Sequence, residues 1–365
     1  MPDHQAIARQ ILENCAISDA NFAGGFSVCG LVLRLRELFK WEHGLDPWVE
    51  RDSGEVLEWI GAREEQWERV AGLEFKDIRV GGCDYDPFDS EGVNKVLEPE
   101  GLWYGAGYVR GLKPVFLLAE IEEKRIVEGQ TVYILGRELA RDLFAVPAFT
   151  DGEAIVVRTA SARTFIWDQI AYGAESGKEA LRFALRRYGL EGRGAAEVSG
   201  NLEHIVTGEI ESYIRHELGE LLETEFDRAT WRELVAAFPH SPVELLARAV
   251  KDLLADTGEK GTLEFIIRER RSGSLGFYVA FLDGLRKVLF PEIREAFEAF
   301  AEGAGWQVIK EANRAGRKNA EHYADIMSSV YRARKDEGSP ELAAEDIRER
   351  LLEPLGISWE SMEEA

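Results

Sequence analysis

The chain has 365 residues with 67 acidic and 44 basic side chains, which gives a formal net charge of −23 at pH 7. This surplus of carboxylates repels phosphate, so nucleic acid is excluded as the default partner, and an anionic membrane surface is disfavoured for the same reason. Hydrophobic residues make up 45% of the chain, enough for one large core or two domains. The composition therefore predicts an acidic globular protein.

Cysteine usage and the first residues indicate a compartment. Three cysteines, Cys15, Cys29 and Cys83, are too few and odd in number for a disulfide framework. The first thirteen residues lack the basic region and apolar stretch of a signal peptide. No apolar run approaches the roughly 18 residues that a membrane-spanning helix needs. These features predict a soluble cytoplasmic protein.

Residues 1–71 have the periodicity of helices. The predicted helices are Ala6–Cys15, Val28–Trp41 and Ser53–Val70. The third places its apolar residues at intervals of three, four and seven, which is typical of an amphipathic helix.

Residues 72–160 differ, because glycines are frequent and the apolar runs are short and rich in β-branched and aromatic residues. We predict a turn at residues 128–130 and a helix at Arg137–Leu143. The predicted strands are Phe75–Val80, Leu102–Val109, Pro114–Ile121, Arg125–Val127, Thr131–Leu135 and Ala154–Val157.

From about residue 160 the pattern is helical again, with long predicted helices at Leu202–Thr224, Pro242–Leu254 and Trp306–Lys335. Ser241 before Pro242 is typical of a helix start, since serine caps the first turn and proline fits its first position. The predicted fold class is α+β, predominantly helical, with one small mixed or antiparallel sheet in residues 72–160.

These patterns suggest three segments. Residues 1–175 form a helical N terminus with a small β-rich module, residues 176–335 a helical domain, and residues 336–365 an acidic C-terminal tail or helix. The sequence also allows all three to pack as one unit.

Motifs for common chemistries are incomplete. No Gly-x4-Gly-Lys-Ser/Thr string is present, and the glycines of Gly105–Gly111 lead into a predicted strand instead of a phosphate-binding helix N terminus. The acidic segment Asp84–Gly92 lacks the glycine and final glutamate of a calcium-binding loop. Ser27, two residues after Gly25, lacks the second glycine of a nucleophile elbow.

One histidine lies in a motif related to metal binding. The string at residues 216–220 is His-Glu-Leu-Gly-Glu, one residue away from the His-Glu-x-x-His of zinc peptidases. Helix positions i and i+4 face the same way, so His216 and Glu220 could bind one metal ion, with the glutamate binding through oxygen. Glu217 then occupies the position of the general base.

The same helix face carries further acids. At about 100° per residue, Glu220 lies near 40° and Glu209 near 20° from His216. Glu223 lies near −20° on this scale, and apolar residues occupy the opposite side. This composition suits a metal site, but it also matches the solvated side of an acidic amphipathic helix. Tyr213, near 60°, favours a cleft.

Three segments carry a resemblance to a protein family. Cys29–Trp48, CGLVLRLRELFKWEHGLDPW, resembles the N-terminal signature of an uncharacterised bacterial family. Gly101–Gly111, GLWYGAGYVRG, and Tyr213–Glu220, YIRHELGE, are similar to the same family, so the resemblance covers most of the chain. The family has no assigned activity, so the resemblance implies no functional residue.

Several functions therefore stay open at the level of sequence. We expect a non-catalytic helical scaffold or interaction protein whose acidic faces contact a basic protein partner. The alternative is a metal-dependent hydrolase with Glu209, His216 and Glu220 as ligands of a divalent metal and Glu217 as the catalytic residue. His43 or His322 is then the candidate for a distant completing ligand. A third option is a small-molecule binder that uses the aromatic, glycine-rich middle segment. Whether the chain is an enzyme, and in what oligomeric state it acts, is not determined by these patterns.

Overall fold

The computed structural model describes residues 3–192 and 194–356, and the chain divides into two compact units, residues 1–168 and 169–365. Each unit has its own hydrophobic core. The first unit combines helices with the described strands, and the second is helical. The predicted α+β class, predominantly helical, is confirmed.

The first unit begins with helices α1 (His4–Phe22), α2 (Val28–Glu42), α3 (Ser53–Val70) and α4 (Ser90–Leu97), and α5 (Thr159–Tyr172) crosses its boundary. Each of the first four follows a residue whose side chain accepts a backbone N–H of the first turn, which stabilises the helix start. These N-cap residues are Asp3, Ser27, Asp52 and Asp89. The three N-terminal helices predicted from periodicity are present, and α1 continues beyond Cys15.

Two sheets occupy the predicted β-rich region. β1 (Ile78–Val80) and β2 (Cys83–Tyr85) form a short antiparallel hairpin. The main sheet has the strand order β3-β4-β5-β7-β6 and is antiparallel except between β5 and β7, so it is mixed. Its strands are β3 (Leu102–Tyr108), β4 (Pro114–Val127), β5 (Gln130–Arg141), β6 (Ala148–Asp151) and β7 (Ala154–Arg158).

The turn predicted at residues 128–130 connects β4 to β5. Val127 pairs with Gln130, so Glu128 and Gly129 form a two-residue loop, and their φ angles are 50° and 87°. Positive φ at both positions is the geometry that joins twisted antiparallel strands, and glycine adopts it without strain.

The helix predicted at Arg137–Leu143 is wrong, because β5 continues to Arg141. Arg137 is exposed, but Glu138 and Arg141 are buried in the sheet. Glu138 accepts hydrogen bonds from Arg158 Nε and Ser161 Oγ, each at 2.8 Å. Pairing with β4 and this buried ion pair outweigh the local helix preference.

A buried lysine joins α1 to the main sheet. Lys113 Nζ lies 3.1 Å from Asp19 Oδ1 and 3.7 Å from Asp142 Oδ1, and it donates to Ser18 Oγ at 2.9 Å. Both carboxylates also accept backbone N–H groups. Burial raises the pKa of Asp19 and Lys113 opposes this effect, which leaves the pKa at about 7. Lys113 therefore neutralises carboxylates that have little access to water.

The second unit surrounds one buried helix, α9. Ser241 Oγ accepts the Glu244 N–H at 3.2 Å, so the predicted helix start is confirmed. α9 packs against α7 and α14.

No described helix combines the length and the hydropathy that crossing a membrane requires. The described helices of this unit are α6 (Lys178–Arg187), α7 (Ala195–Leu222), α8 (Arg228–Ala237), α9 (Pro242–Thr257), α10 (Thr262–Arg268), α11 (Ser272–Phe281), α12 (Gly284–Leu289), α13 (Pro291–Ala301), α14 (Trp306–Asp336) and α15 (Ala343–Ile347).

Replacing Lys113 with methionine should destabilise the protein by about 3–5 kcal/mol, because Asp19 and Asp142 would stay buried without a cation. Urea unfolding followed by circular dichroism measures the change. Lys95→Met is the matched control, since Lys95 and Glu91 form an exposed ion pair on α4 that contributes little. Equal destabilisation by the two substitutions would contradict the role given to Lys113.

Candidate metal centre

Helices α7 and α9 approach each other closely at a glycine. A methyl group on Gly219 of α7 would overlap the carbonyl oxygen of Ala255 on α9. Glycine therefore allows a helix-to-helix contact that any side chain at this position would prevent. Because Gly219 lies between His216 and Glu220, this contact carries both side chains toward the residues of α9 around Ala255.

Three side chains beside this contact lie close enough together to reach a single ion. His216 and Glu220 of α7 and Asp252 of α9 each offer a ligand atom, and these atoms lie within 4.8 Å of one another. His216 Nε2 is 3.8 Å from Glu220 Oε1. The exposed fractions of the three side chains are 24%, 17% and 30%, so solvent reaches the cluster but only partly hydrates it.

His216 is oriented by a carboxylate on the other helix. Its Nδ1 lies 2.8 Å from Asp256 Oδ1, and Asp256 is buried. This hydrogen bond turns Nε2 away from Asp256 and toward Glu220. A carboxylate on the second ring nitrogen is the usual arrangement of metal-binding histidines, because it holds the ring and makes it more basic.

The two carboxylates of the cluster are also held by neighbours. Lys251 Nζ donates to Glu220 Oε2 at 2.5 Å, which leaves Glu220 Oε1 facing the histidine. Lys251 is itself placed 4.5 Å from the ring centroid of Trp231. Arg286 Nη1 lies 3.8 Å from Asp252 Oδ2. Each candidate ligand therefore has one partner that limits its orientation.

The surrounding charges favour a protonated histidine. Burial lowers the pKa of His216, but the charge and hydrogen bond of Asp256, together with the charge of Glu217, raise it overall from 6.5 to about 10. For Asp256 the effects are reversed: burial raises its pKa, but the charge and hydrogen bond of the His216 imidazolium outweigh burial, and the pKa is lowered overall. Without a metal ion, His216 and Asp256 form an ion pair at neutral pH.

The two glutamates of the motif have opposite protonation behaviour. Burial and the charge of Glu220 raise the pKa of Glu217 from 4.5 to about 8. Burial also raises the pKa of Glu220, but Lys251 and His216 outweigh it and lower the value overall. At neutral pH these shifts favour a protonated Glu217 and an ionised Glu220. The catalytic role of Glu217 stays a prediction.

Glu209 lies apart from this cluster. Its carboxylate accepts hydrogen bonds from Tyr188 and Ser274, at 2.5 and 2.8 Å, and from Ser212 at 2.9 Å. Although Glu209 shares the helix face of His216, seven residues place it about 10 Å away along the axis. The structure therefore brings His216 and Glu220 together and assigns Glu209 to a separate hydrogen-bonding group.

The other residues of the predicted face also have partners outside the cluster. Glu223 Oε2 forms an ion pair with Arg317 Nη1 at 2.5 Å. Burial and the charge of Glu209 raise the pKa of Tyr213 above its usual range. Tyr213 therefore lies near Glu209 and not in the cluster. The acidic helix face predicted from angular position does not form one site, because its residues contact different partners.

Sequence reasoning missed the contribution of α9. Asp252 and Asp256 are four residues apart in a helix that is buried along most of its length, so they face the same side. Acids at this spacing in an apolar segment were the available signal. Which helix would face residues 216–220 was not visible in the sequence.

In metal-free protein, the free energy of unfolding should fall as pH rises from about 6.5 through about 10. A histidine whose pKa is raised on folding stabilises the folded state below its unfolded pKa and loses this contribution as it deprotonates. Glu217, whose pKa is raised to about 8, adds to the fall below that pH, so His216→Gln should flatten the profile most clearly between about pH 8 and 10, measured by urea unfolding across pH. His204→Gln changes an exposed histidine of α7 and serves as the control. A wild-type slope in His216→Gln would contradict the ion pair with Asp256.

Comparison with known proteins identifies a family for both units. The models of the family of unknown function DUF6866 match the chain in two parts, the N-terminal domain over residues 6–158 and the C-terminal domain over residues 163–350. No curated protein and no solved structure matches the chain. The resemblance to an uncharacterised family is confirmed: the chain belongs to this family of unknown function.

Proposed function

We propose that the second unit binds a divalent transition-metal ion at His216, Glu220 and Asp252 and uses it for hydrolysis. The observation that carries this proposal is the hydrogen bond that His216 Nδ1 donates to Asp256, which directs Nε2 toward Glu220 while α9 supplies a second carboxylate. Glu209, a ligand candidate by sequence, is replaced by Asp252 in the proposed set.

The donor set suits a borderline or moderately hard cation. One imidazole nitrogen and two carboxylate oxygens are ligands of zinc, manganese and iron, and three protein ligands leave a position for water or substrate. Binding requires neutral imidazole, so the metal must displace the proton that Asp256 stabilises on His216. We therefore expect binding to tighten as pH rises.

In the proposed hydrolysis the cation would activate water and Glu217 would transfer the proton. A bound divalent ion lowers the pKa of water and so supplies a nucleophile near neutral pH. Glu217 is buried next to the ligand His216, and its pKa of about 8 suits exchange of a proton with such a nucleophile. The same ion would favour the ionised form of Glu217 and so prepare it as a base.

A competing interpretation is a purely structural ion-pair network. His216, Lys251 and Arg286 can balance Glu220, Asp252 and Asp256 while Glu217 keeps its proton. Buried networks of this kind occur without any ligand. Metal titration distinguishes the two interpretations, because the network predicts no specific stoichiometric binding.

Protein stripped with a chelator should bind one Zn²⁺ or Mn²⁺ per chain, measured by isothermal titration calorimetry and by elemental analysis after dialysis. His216→Ala should abolish binding, and Asp256→Asn should weaken it about 10- to 100-fold because it removes the group that orients the ligand. His322→Ala, which changes an exposed histidine of α14, should bind like wild type.

Glu217→Gln extends this experiment to catalysis. It should keep the metal and lose metal-dependent hydrolysis of p-nitrophenyl acetate or p-nitrophenyl phosphate. Absence of stoichiometric metal in folded wild-type protein would refute the site, whereas metal binding without hydrolysis in wild type would refute only the catalytic part.

The scaffold hypothesis has support from α3. Its glutamates Glu55, Glu58, Glu65 and Glu68 are exposed and share one side of the helix. An acidic stripe of this kind suits a basic partner, and we infer that α3 is the contact surface if the protein is a scaffold.

Changing these four residues of α3 to glutamine should abolish binding of a decalysine peptide at low salt, measured by fluorescence anisotropy. Wild-type binding should weaken as salt screens the charges. The control changes four exposed acids elsewhere, Glu259, Glu295, Glu311 and Asp325, to their amides, which alters the net charge equally. Equal loss in both variants would indicate attraction by net charge alone and reject a specific surface on α3.

A further inference from the structure

A cleft of about 570 Å³ lies in the first unit, where α4 faces the β4–β5 and β6–β7 turns. Its volume is in the range of clefts that hold small molecules. Its lining includes Ser90, Trp103, Gln130, Tyr133, Asp151 and Glu153. The cleft therefore combines aromatic, hydroxyl, amide and carboxylate groups from four different elements.

Two aromatic side chains form one wall of the cleft. The ring centroids of Trp103 and Tyr133 are 4.0 Å apart, and both residues are largely buried. Lys124 Nζ lies 5.0 Å from the Tyr133 ring centroid and binds Glu98, so this wall is held in place. Trp103 Nε1 is buried without a hydrogen-bond acceptor in the described part of the chain. A buried N–H without an acceptor is unfavourable, so a ligand oxygen that displaced the atoms covering Trp103 Nε1 would be stabilised there.

The charges of the cleft are unequal. Glu91, Glu98, Asp151 and Glu153 line it together with one base, Lys95. Lys95 pairs with Glu91 at 2.7 Å, and Glu98 binds Lys124. Asp151 Oδ1 accepts a hydrogen bond from Ser90 Oγ at 3.2 Å. Neither Asp151 nor Glu153 has a basic partner among the described residues. Two carboxylates without a cation therefore face the same cleft.

We propose that this cleft binds a small polyhydroxylated amine of the amino-sugar class. The ammonium group would pair with Asp151 and Glu153, which lack a cation of their own. Sugar hydroxyls would exchange hydrogen bonds with Ser90 and Gln130, and a sugar oxygen would accept the free N–H of Trp103. The small exposed part of the aromatic wall offers an apolar contact to a sugar ring, while the carboxylates disfavour an acidic sugar.

This proposal is independent of the metal centre, because the cleft belongs to the first unit. Partial burial raises the pKa of Asp151, and the Ser90 hydrogen bond opposes that effect. A bound ammonium group would stabilise the ionised form of the same carboxyl group. Ligand binding should therefore be accompanied by proton release at mildly acidic pH.

Calorimetric titration with glucosamine, glucose and glucuronate tests the proposal on full-length protein treated with a chelator. Glucosamine should bind at least tenfold more tightly than glucose, and glucuronate should not bind. Asp151→Asn, which keeps the acceptor for Ser90, should weaken glucosamine binding at least tenfold. Asp84→Asn, an exposed acid of β2, makes the same change in net charge and should have no effect.

Trp103→Phe supplies a second test, since it removes the unpaired N–H and keeps an aromatic ring. It should weaken glucosamine and glucose by the same factor. Equal affinity for glucosamine and glucose, equal weakening by Asp151→Asn and Asp84→Asn, or no glucosamine binding would each overturn the proposal. Glucosamine binding in metal-free protein would support the cleft whether or not the metal centre is functional.

Discussion

The close contact between α7 and α9 at Gly219 is the constraint on which the candidate metal centre depends. Without a side chain at this position, the α7 backbone rests against the carbonyl oxygen of Ala255. Only at this separation can Asp256 hydrogen-bond the ring of His216 and Asp252 approach Glu220. A larger residue at 219 would have to separate the helices, and each of these short polar contacts would lengthen. The glycine between the two motif residues is therefore a requirement of the candidate site as much as its proposed ligands are.

Both units contain ionisable groups away from water, and each compensates them locally. In the first unit, Lys113 serves two carboxylates that join α1 to the sheet. In the second, Lys251 and Arg286 serve the two carboxylates of the candidate metal site. Such pairs add little net stability compared with apolar packing, but removing one partner is costly. The net charge of −23 therefore does not describe these two sites, where buried acids lie beside bases, whereas among the described residues the buried Glu209 is held by hydroxyl groups alone.

Local sequence was sufficient to predict the structure wherever the conformation of a residue is set by its neighbours along the chain. The helix start at Ser241 and the turn at Glu128 and Gly129 follow from backbone preferences of a few residues. The proximity of His216 and Glu220 follows from helical periodicity. The helix predicted at Arg137–Leu143 was wrong because β5 obtains its stability from pairing with β4 and from the contact of Glu138 with Arg158.

The sequence by itself determined the α+β class, the acidic character and the two residues of α7 that share a face. Tertiary structure decided which residues lie beside them in the candidate site, since Asp252 and Asp256 reach His216 only through the packing of α9 on α7. The tertiary structure also excludes Glu209 from the candidate site, because its carboxylate binds Tyr188 and Ser274 instead. Angular position on a helix does not give the distance along its axis or the partners on other helices. Periodicity describes one element at a time, whereas a binding site is made where several elements meet.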